Sequence, residues 1–283
     1  MMKIRKRVKP IVLHIIMAFL ALLWLIPIIW LVVTSFSGYK GINTMNFFPT
    51  EWSMDNYVQL FLRPDTVANF PAWFRNSMII GTCSCLISTL FVLMVSYAMS
   101  CMRFPSRKLL MSFAIILGMF PGVLSMIAIY FVMKLIGLTN SLFGLVIIYS
   151  AGSGLGYLIC KGFFDTIPVS LRESARLEGA SELTIFTRIV IPLSKPMIVY
   201  TVINSFLSPW MDFVMAKLMI RSKNPTDWTV AMGLYNLVQR TLVGDYFSVF
   251  CAGGVMVAIP ISILFLFMQK FYVEGITGGA VKG

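Results

Sequence analysis

The chain has 283 residues, of which 58% are hydrophobic and only 12% are charged, and its formal net charge is +12. This composition excludes an ordinary soluble domain and is typical of a polytopic membrane protein. The basic excess does not indicate nucleic-acid binding, because the Lys and Arg residues are distributed as membrane topology requires.

Six apolar runs define the predicted architecture, and each exceeds the roughly 20 residues that cross a hydrocarbon core of about 30 Å as a helix. We predict one all-α, polytopic membrane domain over residues 1–283, with six transmembrane helices. The first run is too long for the apolar region of a cleavable signal peptide. The predicted spans cover about residues 11–33, 78–102, 109–133, 141–164, 196–220 and 246–272.

The charge distribution orients these spans. With the N-terminus inside, the predicted inner segments hold fifteen of the 23 Lys and Arg residues, and the outer segments hold the other eight. This is the positive-inside bias, so we expect both termini and the polar loop 165–195 to be cytoplasmic. The outer segment 34–77 is rich in aromatic residues, and we expect a surface helix there at about 55–62.

Two of the later spans contain candidate pathway residues. In the fourth span, Tyr149 and Ser153 share a helical face. In the fifth, Asn204, Ser208 and Asp212 recur at intervals of four residues and form a polar stripe, with Trp210 close by. An acid in hydrocarbon is costly, so Asp212 should face a polar cavity or a partner.

This polar set suits a carbohydrate path, because amides and carboxylates bind sugar hydroxyls and indole rings stack on sugar faces. The alternative for the stripe is a hydrogen-bond network at a subunit interface, near the kink expected at Pro209.

The polar loop 165–195 is predicted to form two short helices. Ser170 and Glu173 make an S-x-x-E capping box for the first helix. Gly179 is placed to end that helix with a positive φ, which glycine adopts without strain. Ser181 can cap the second helix, and Pro192 is expected to stop it.

Catalytic chemistry is not predicted for this chain. It has no G-x-x-x-x-G-K-[ST] phosphate-binding loop, so we do not expect it to hydrolyse ATP itself. The single His14 lies near a membrane edge, which argues against a Ser-His-Asp site. The five cysteines lie in or beside apolar runs without metal-ligand spacing, and we expect neither catalytic nor metal-binding residues.

The loop also carries a sequence motif, which reads Glu173-Ser174-Ala175, three residues, Gly179, nine residues, then Ile189-Val190-Ile191-Pro192. It resembles the "EAA" loop of the permease subunits of bacterial ABC importers, with Ser174 and Ile191 as conservative departures. The resemblance implies that this loop couples the permease to an ATPase subunit. The residues it assigns to coupling are Glu173, Ala175, Gly179, Ile189 and Pro192.

Two further segments are similar to the carbohydrate, MalG-like branch of this family: Gly162–Pro168 and the C-terminal tail Gly275–Gly283. The resemblance implies a type I importer fold. It also implies a tail that contacts the ATPase through Gly278, Gly279 and Lys282. By composition alone the tail should be irregular outside such a complex, because it buries too little apolar surface.

The function implied by the resemblance is that of a permease subunit of an ATP-driven oligosaccharide importer in the bacterial cytoplasmic membrane. The implied partners are a MalF-like second permease, an ATPase dimer and an extracytoplasmic sugar-binding protein. The chain itself is expected to bind no cofactor, with ATP and Mg²⁺ on the ATPase.

Other functions stay open at this stage. An ABC permease could instead carry glycerol phosphate or a polyol. A secondary transporter would usually show inverted repeats and several buried acids, and a membrane scaffold or sensor would usually have a soluble signalling domain.

Overall fold

The computed structural model of the protein describes the backbone of residues 2–42, 46–63, 67–152 and 156–280, and the side chains of those residues between 12 and 271. Within these ranges the fold is helical, and the β-structure consists of an isolated bridge between Ser37 and Trp52. The helices are α1 (Met2–Ser35), α2 (Asp55–Leu62), α3 (Phe70–Cys101), α4 (Arg107–Gly118), α5 (Gly122–Leu135), α6 (Leu142–Ala151), α7 (Gly156–Phe164), α8 (Val169–Leu177), α9 (Glu182–Ile185), α10 (Ile191–Leu193), α11 (Lys195–Met211), α12 (Val214–Met219), α13 (Val230–Leu237) and α14 (Val243–Ala280).

Four helical segments of the described chain are long and apolar enough to cross a membrane, and there are up to six if each of two bent pairs is one span. The all-α, polytopic class predicted from the sequence is therefore confirmed. The predicted surface helix is also confirmed as α2, at Asp55–Leu62. The four segments are Val12–Ser35, Phe70–Cys101, Leu142–Phe164 and Val243–Phe271.

Both bent pairs break where the sequence interrupts the helical hydrogen bonds. α4 and α5 meet at 106° across Met119–Pro121, and Pro121 begins the second helix with no N–H to donate. The helical stretch Glu182–Leu193 meets α11 at 84° across Ser194. The predicted third span, 109–133, therefore contains a sharp break at Pro121.

Two predicted helix ends in the polar loop are wrong. α8 begins at Val169 after Pro168, one residue before Ser170, and its N-cap makes no side-chain hydrogen bond. Pro192 does not stop the second helix, which continues to Leu193. A π-helical turn at Phe186–Val190 precedes Pro192. Its wider hydrogen-bonding pattern accommodates a proline, which has a ring in place of the backbone N–H.

The predicted fifth span, 196–220, is divided in the structure. α11 ends at Met211, Asp212 takes an extended conformation, and α12 starts at Val214. The Asp212 Oδ1 atom accepts a hydrogen bond from the backbone N–H of Met215 at 3.0 Å. The acid therefore ends one helix and caps the next, as short polar side chains do at helix starts.

The described chain divides into two compact units. The first contains the residues up to Pro71 together with Gly233–Ile259. In it, the Asn56 amide donates to the carbonyls of Ser35 and Ser37 at 3.0 and 2.8 Å, which fixes α2 against the end of α1. The Ser248 hydroxyl donates to the Tyr39 carbonyl at 2.6 Å and fixes the start of α14 to the same segment.

The second unit contains Ala72–Met232 and the chain from Pro260 onward. At one end, the Asn76 amide donates to the carbonyls of Thr226 and Trp228 at 2.8 and 3.0 Å, tying an irregular loop to α3. At the other end, a buried apolar cluster joins α3 and α7 to the polar loop. Its members are Val92, Leu93, Tyr97, Cys101, Cys160, Phe164, Ile167, Ile185 and Val190.

The close packing around Gly144, at the start of α6, can be tested by substitution. A Cβ atom added at Gly144 would overlap the backbone carbonyl oxygen of Leu138 and lie 3.3 Å from the Met219 methyl group. A Cβ at Gly162 of α7 would meet nothing within 4 Å.

We therefore predict that Gly144→Ala lowers the stability of the purified protein by about 1–3 kcal/mol, the usual cost of overpacking. Gly162→Ala is the matched control, and it should be neutral or slightly stabilising because Ala is the better helix former. Thermal unfolding in one detergent measures both. Equal melting temperatures for the two variants would contradict the close packing at Gly144.

Candidate functional site

A polar cavity of about 380 Å³ brings together three residues predicted to lie on a substrate path. It lies among α3, α6, α7 and α11, within the second unit. Tyr149 reaches it from α6, and Asn204 and Ser208 reach it from α11. Its polar lining is completed by Tyr200, Thr201 and Ser205. Ser153, predicted to share the Tyr149 face, lies outside the described residues.

The intramembrane acid is connected to this cavity through Tyr149. The Tyr149 hydroxyl donates to Asp212 Oδ2 at 3.2 Å, while the other carboxylate oxygen caps α12. Both side chains are half-buried. The carboxylate thus has a protein donor at each oxygen, which offsets part of the cost of placing an acid in an apolar region.

Asn204 is placed to present its amide to the cavity. Its Nδ2 donates to the Tyr200 carbonyl one turn earlier at 2.8 Å, which fixes the rotamer of an otherwise exposed side chain. With Ser208 one further turn along α11, the stripe predicted from the sequence lies on the cavity wall up to the end of the helix.

Trp210 occupies a different position from the rest of the stripe. It is 3% exposed, and its ring contacts Phe74 edge-on at 5.4 Å and Phe206 at 5.8 Å. Its indole nitrogen lies against Gly81, where an added Cβ would come within 2.9 Å. Trp210 is therefore packed between α11 and α3, and it is not among the residues that line the cavity.

The polar loop is a rigid pair of helices closed by a Schellman motif. Gly179 has φ of +84°, which confirms the conformation predicted for it. The Ala180 N–H donates to the Ala175 carbonyl at 2.9 Å, and the Gly179 N–H donates to the Arg176 carbonyl at 3.0 Å. The Ser181 hydroxyl then accepts from the Thr184 N–H at 3.2 Å, so the predicted cap of the second helix is also confirmed.

The motif residues separate into packed and exposed sets. Ala175 and Ile189 pack against the buried cluster that joins the loop to α3 and α7. Glu173, Gly179 and Pro192 are exposed. The packed residues can hold the loop on the membrane helices, and the exposed ones are available to a partner.

A hydrogen-bonded link from α3 to the loop was not foreseen from the sequence. The Tyr97 hydroxyl donates to Glu182 Oε2 at 2.6 Å, and Arg176 Nε donates to Glu182 Oε1 at 2.7 Å. Tyr97 and Glu182 are 85 positions apart, so no local spacing could have paired them. The charge density of the loop was the available signal, and it did not identify the partner on α3.

The same link is sensitive to pH in a defined direction. The hydrogen bond from Arg176, and then that from Tyr97, hold the pKa of the Glu182 carboxyl below its usual value. A lowered pKa means that the link is complete above the ordinary carboxyl range and is lost as the pH falls through the lowered value. Because the Arg176–Glu182 pair is about 40% exposed, its contribution to stability is small.

A second polar link lies beside it. Asp165, just after α7, accepts from Lys161 Nζ at 2.5 Å and from the Ser100 hydroxyl at 2.6 Å. Burial alone would raise the pKa of the Asp165 carboxyl, but these hydrogen bonds outweigh it and hold the pKa below its usual value. The end of α3 is thus tied to both sides of the polar loop.

The C-terminal tail differs from its predicted irregular form. The backbone of Gly278 and Gly279 continues α14, which extends to Ala280. Propagating an existing helix costs far less than nucleating one, so glycines can be included at the end of so long a helix. Lys282 lies outside the described residues.

Comparison with known proteins identifies the family. Residues 94–277 match the model of the family described as "Binding-protein-dependent transport system inner membrane component". The galactooligosaccharides transport system permease protein GanQ of Bacillus subtilis (strain 168) is 32% identical over 100% of this chain and 99% of its own. The maltose/maltodextrin transport system permease protein MalG of Escherichia coli (strain K12) is 35% identical over 75% of this chain and 72% of its own.

Solved structures agree on the fold. A chain of a bacterial ABC transporter involved in the import of the acidic polysaccharide alginate superposes with a TM-score of 0.78 at 23% identity. The superposition covers 94% of this chain and 97% of that one. With the family match over most of the sequence, this chain belongs to the inner-membrane permease components of binding-protein-dependent ABC transport systems.

Proposed function

We propose that this chain forms half of the translocation path of an ATP-driven oligosaccharide importer. The observation that supports this most directly is the polar cavity, in which Tyr149, Asn204 and Ser208 converge from two helices. Phenol, amide and hydroxyl groups are suited to the many hydroxyls of a sugar chain. The relatives named for galactooligosaccharide and maltodextrin transport support the same class of substrate.

Coupling to the ATPase is proposed to use the exposed side of the polar loop. Glu173 lies there with two strongly exposed apolar residues, Leu177 at 90% and Leu183 at 70%. Apolar side chains so exposed beside a charged group are typical of a docking surface. Ala175 and Ile189 are proposed to transmit movement of the docked loop to the membrane helices, since both pack on the cluster shared with α3.

The proposed assembly contains a MalF-like second permease, an ATPase dimer and an extracytoplasmic sugar-binding protein. This chain is non-catalytic and binds no cofactor of its own, and ATP and Mg²⁺ belong to the ATPase. Closure of that dimer and docking of the binding protein favour the same state of the permease pair, so the two events are thermodynamically coupled.

The tail is proposed to contact the ATPase through Gly278, Gly279 and Lys282. Glycines permit the close backbone approach that a narrow interface requires. Deletion of residues 275–283 should lower ATP-dependent uptake while the complex still assembles. Unchanged uptake at equal complex yield would remove the coupling role.

Reconstitution of the full complex in vesicles tests the function as a whole. Uptake of a labelled maltodextrin or galactooligosaccharide should require ATP and the binding protein together. Uptake driven by an ion gradient without ATP would instead support a secondary transporter. Uptake of glycerol phosphate or a polyol in place of the sugars would change the substrate class and keep the ABC mechanism.

The link between the acid and the cavity gives the first functional prediction. Tyr149→Phe removes the hydroxyl that donates to Asp212 and faces the cavity, so we expect sugar uptake to fall several-fold at normal complex yield. Tyr130→Phe is the matched control, since that tyrosine lies on α5 and its ring contacts Arg221 without a hydroxyl hydrogen bond among the described residues.

Uptake and complex yield are measured together for these two variants. Failure of the Tyr149→Phe complex to assemble would favour the interface alternative for the polar stripe. Full uptake in the Tyr149→Phe complex would contradict a role in the path.

The positive φ of Gly179 gives the second functional prediction. Gly179→Val places a β-branched residue in the left-handed region, which costs at least about 1–2 kcal/mol and reorients α8 against the following helix. We expect binding-protein-stimulated ATP hydrolysis and uptake to fall together. Gly162→Val, at an equally open position with ordinary helical φ, should retain both activities.

The hydrogen bond between Tyr97 and Glu182 gives the third functional prediction. Tyr97→Phe leaves the ring in the buried cluster but removes the hydrogen bond from its hydroxyl to the Glu182 carboxylate. We expect less tight coupling, measured as more ATP hydrolysed per sugar transported. An unchanged ratio would show that the loop is positioned by the apolar cluster alone.

A further inference from the structure

A second cavity, of about 820 Å³, lies where the end of α3 meets α8, apart from the polar cavity between the helices. Its charged lining consists of four arginines and two glutamates. They are Arg103, Arg107, Arg172, Arg176, Glu173 and Glu182. The cavity therefore has an excess of positive charge contributed by guanidinium groups.

Three of these four guanidinium groups make no ion pair among the described side chains. Arg176 is paired with Glu182, and this is the one ion pair within the cavity among the described side chains. Arg172 is 6% exposed, and its Nε atom has no hydrogen-bond partner among the described residues. A buried donor destabilises the fold when it is left unsatisfied, so this atom indicates a site built for an anion.

Arg103 and Arg107 extend the same charge toward the membrane. Arg103 is exposed and Arg107 is half-buried, and neither has an ion pair within the described part of the chain. Asp165 interacts with Arg107 electrostatically without an ion pair, and its carboxylate is already hydrogen-bonded to Lys161 and Ser100. The two arginines are therefore available to a ligand.

The depth of the cavity limits what that ligand can be. Its wall includes Cys101, the last residue of the apolar helix α3, and Arg107, the first residue of α4. The cavity thus lies at the end of a membrane span, where headgroups meet the hydrocarbon core. Its rim carries two exposed apolar side chains outside the proposed docking surface, Met102 at 40% and Val169 at 50%.

We propose that this cavity binds the phosphodiester headgroup of an anionic phospholipid from the leaflet that faces the polar loop. Guanidinium groups bind phosphate oxygens through paired N–H donors, and a phosphate offers enough acceptors for Arg172, Arg103 and Arg107 together. The apolar rim favours a lipid over a free anion, because the acyl chains can cover Met102 and Val169. Basic pockets at the ends of spans are a common means of binding such headgroups.

The bound lipid has a structural consequence for coupling. The cavity is bounded by α3 on one side and by α8 on the other. A phosphate between Arg172 of α8 and Arg107 of α4 joins the polar loop to the membrane helices by charge, in addition to the apolar cluster. This proposal does not depend on which sugar is transported.

The test uses the intact transporter complex, freed of endogenous lipid in detergent and titrated with dioleoyl phosphatidylglycerol. Native mass spectrometry counts the lipids retained, with dioleoyl phosphatidylcholine as the neutral probe. The double variant Arg103→Gln with Arg107→Gln should weaken phosphatidylglycerol binding by about tenfold or more. Each cation near a membrane surface contributes about 1 kcal/mol to the attraction of an anionic lipid, and the variant removes two. Phosphatidylcholine binding should not change.

Lys108→Gln is the matched control. It removes a neighbouring exposed cation that does not line the cavity, so phosphatidylglycerol binding should stay as in the unaltered complex. Thermal unfolding of each complex checks that both variants are folded. Equal binding by the double variant and by Lys108→Gln would overturn the proposal.

Two further results would also overturn it, each pointing to another ligand. Binding of inorganic phosphate alone, with displacement of phosphatidylglycerol at millimolar concentration, would assign the cavity to a soluble anion. Loss of the ATPase from the double variant in phosphatidylcholine alone would assign the arginines to an acidic group of that partner. Since no turnover is measured, these results are separate from any failure of the proposed sugar transport.

Discussion

A polar side chain within an apolar span is stabilised when it finds a hydrogen-bond partner in the protein, because the hydrocarbon core offers none. Several such pairs join the helices of the second unit. The Tyr149 hydroxyl of α6 donates to the Asp212 carboxylate at the end of α11. The hydroxyls of Ser88 on α3 and Ser205 on α11 are hydrogen-bonded at 3.0 Å. The Ser96 hydroxyl of α3 donates to the Tyr157 carbonyl of α7 at 3.0 Å. Two of these residues, Tyr149 and Ser205, also line the polar cavity.

The polar loop satisfies a different requirement, since it must move as one body if it is to couple an ATPase to the membrane. Its two helices are fixed to each other by the turn at Gly179, in which both free N–H groups bond to carbonyls of α8. They are fixed to α3 by the apolar cluster and by the Glu182 carboxylate. These three attachments support the proposed coupling role, in which the loop moves together with the membrane helices.

Sequence reasoning predicted the features that depend on local chemistry. The helical class, α2, the left-handed turn at Gly179 and the Ser181 cap follow from hydropathy and from the conformations that single residues prefer. It failed first where one local preference overrode another. Pro168 starts α8 ahead of Ser170, a π turn carries the helix past Pro192, and Asp212 caps α12 where an unbroken span was expected. The position of Trp210 depended on Gly81, which is distant in sequence.

α3 is the element through which these parts act on one another. It has 32 residues and so extends about 48 Å, enough to cross the membrane with a turn to spare. Val92 in its middle lines the polar cavity, Tyr97 one to two turns later binds the loop through Glu182, and Cys101 at its end borders the basic cavity. A continuous helix transmits an axial shift or rotation with little loss. In the proposed coupling, movement of the loop acts on the cavity wall through α3 itself.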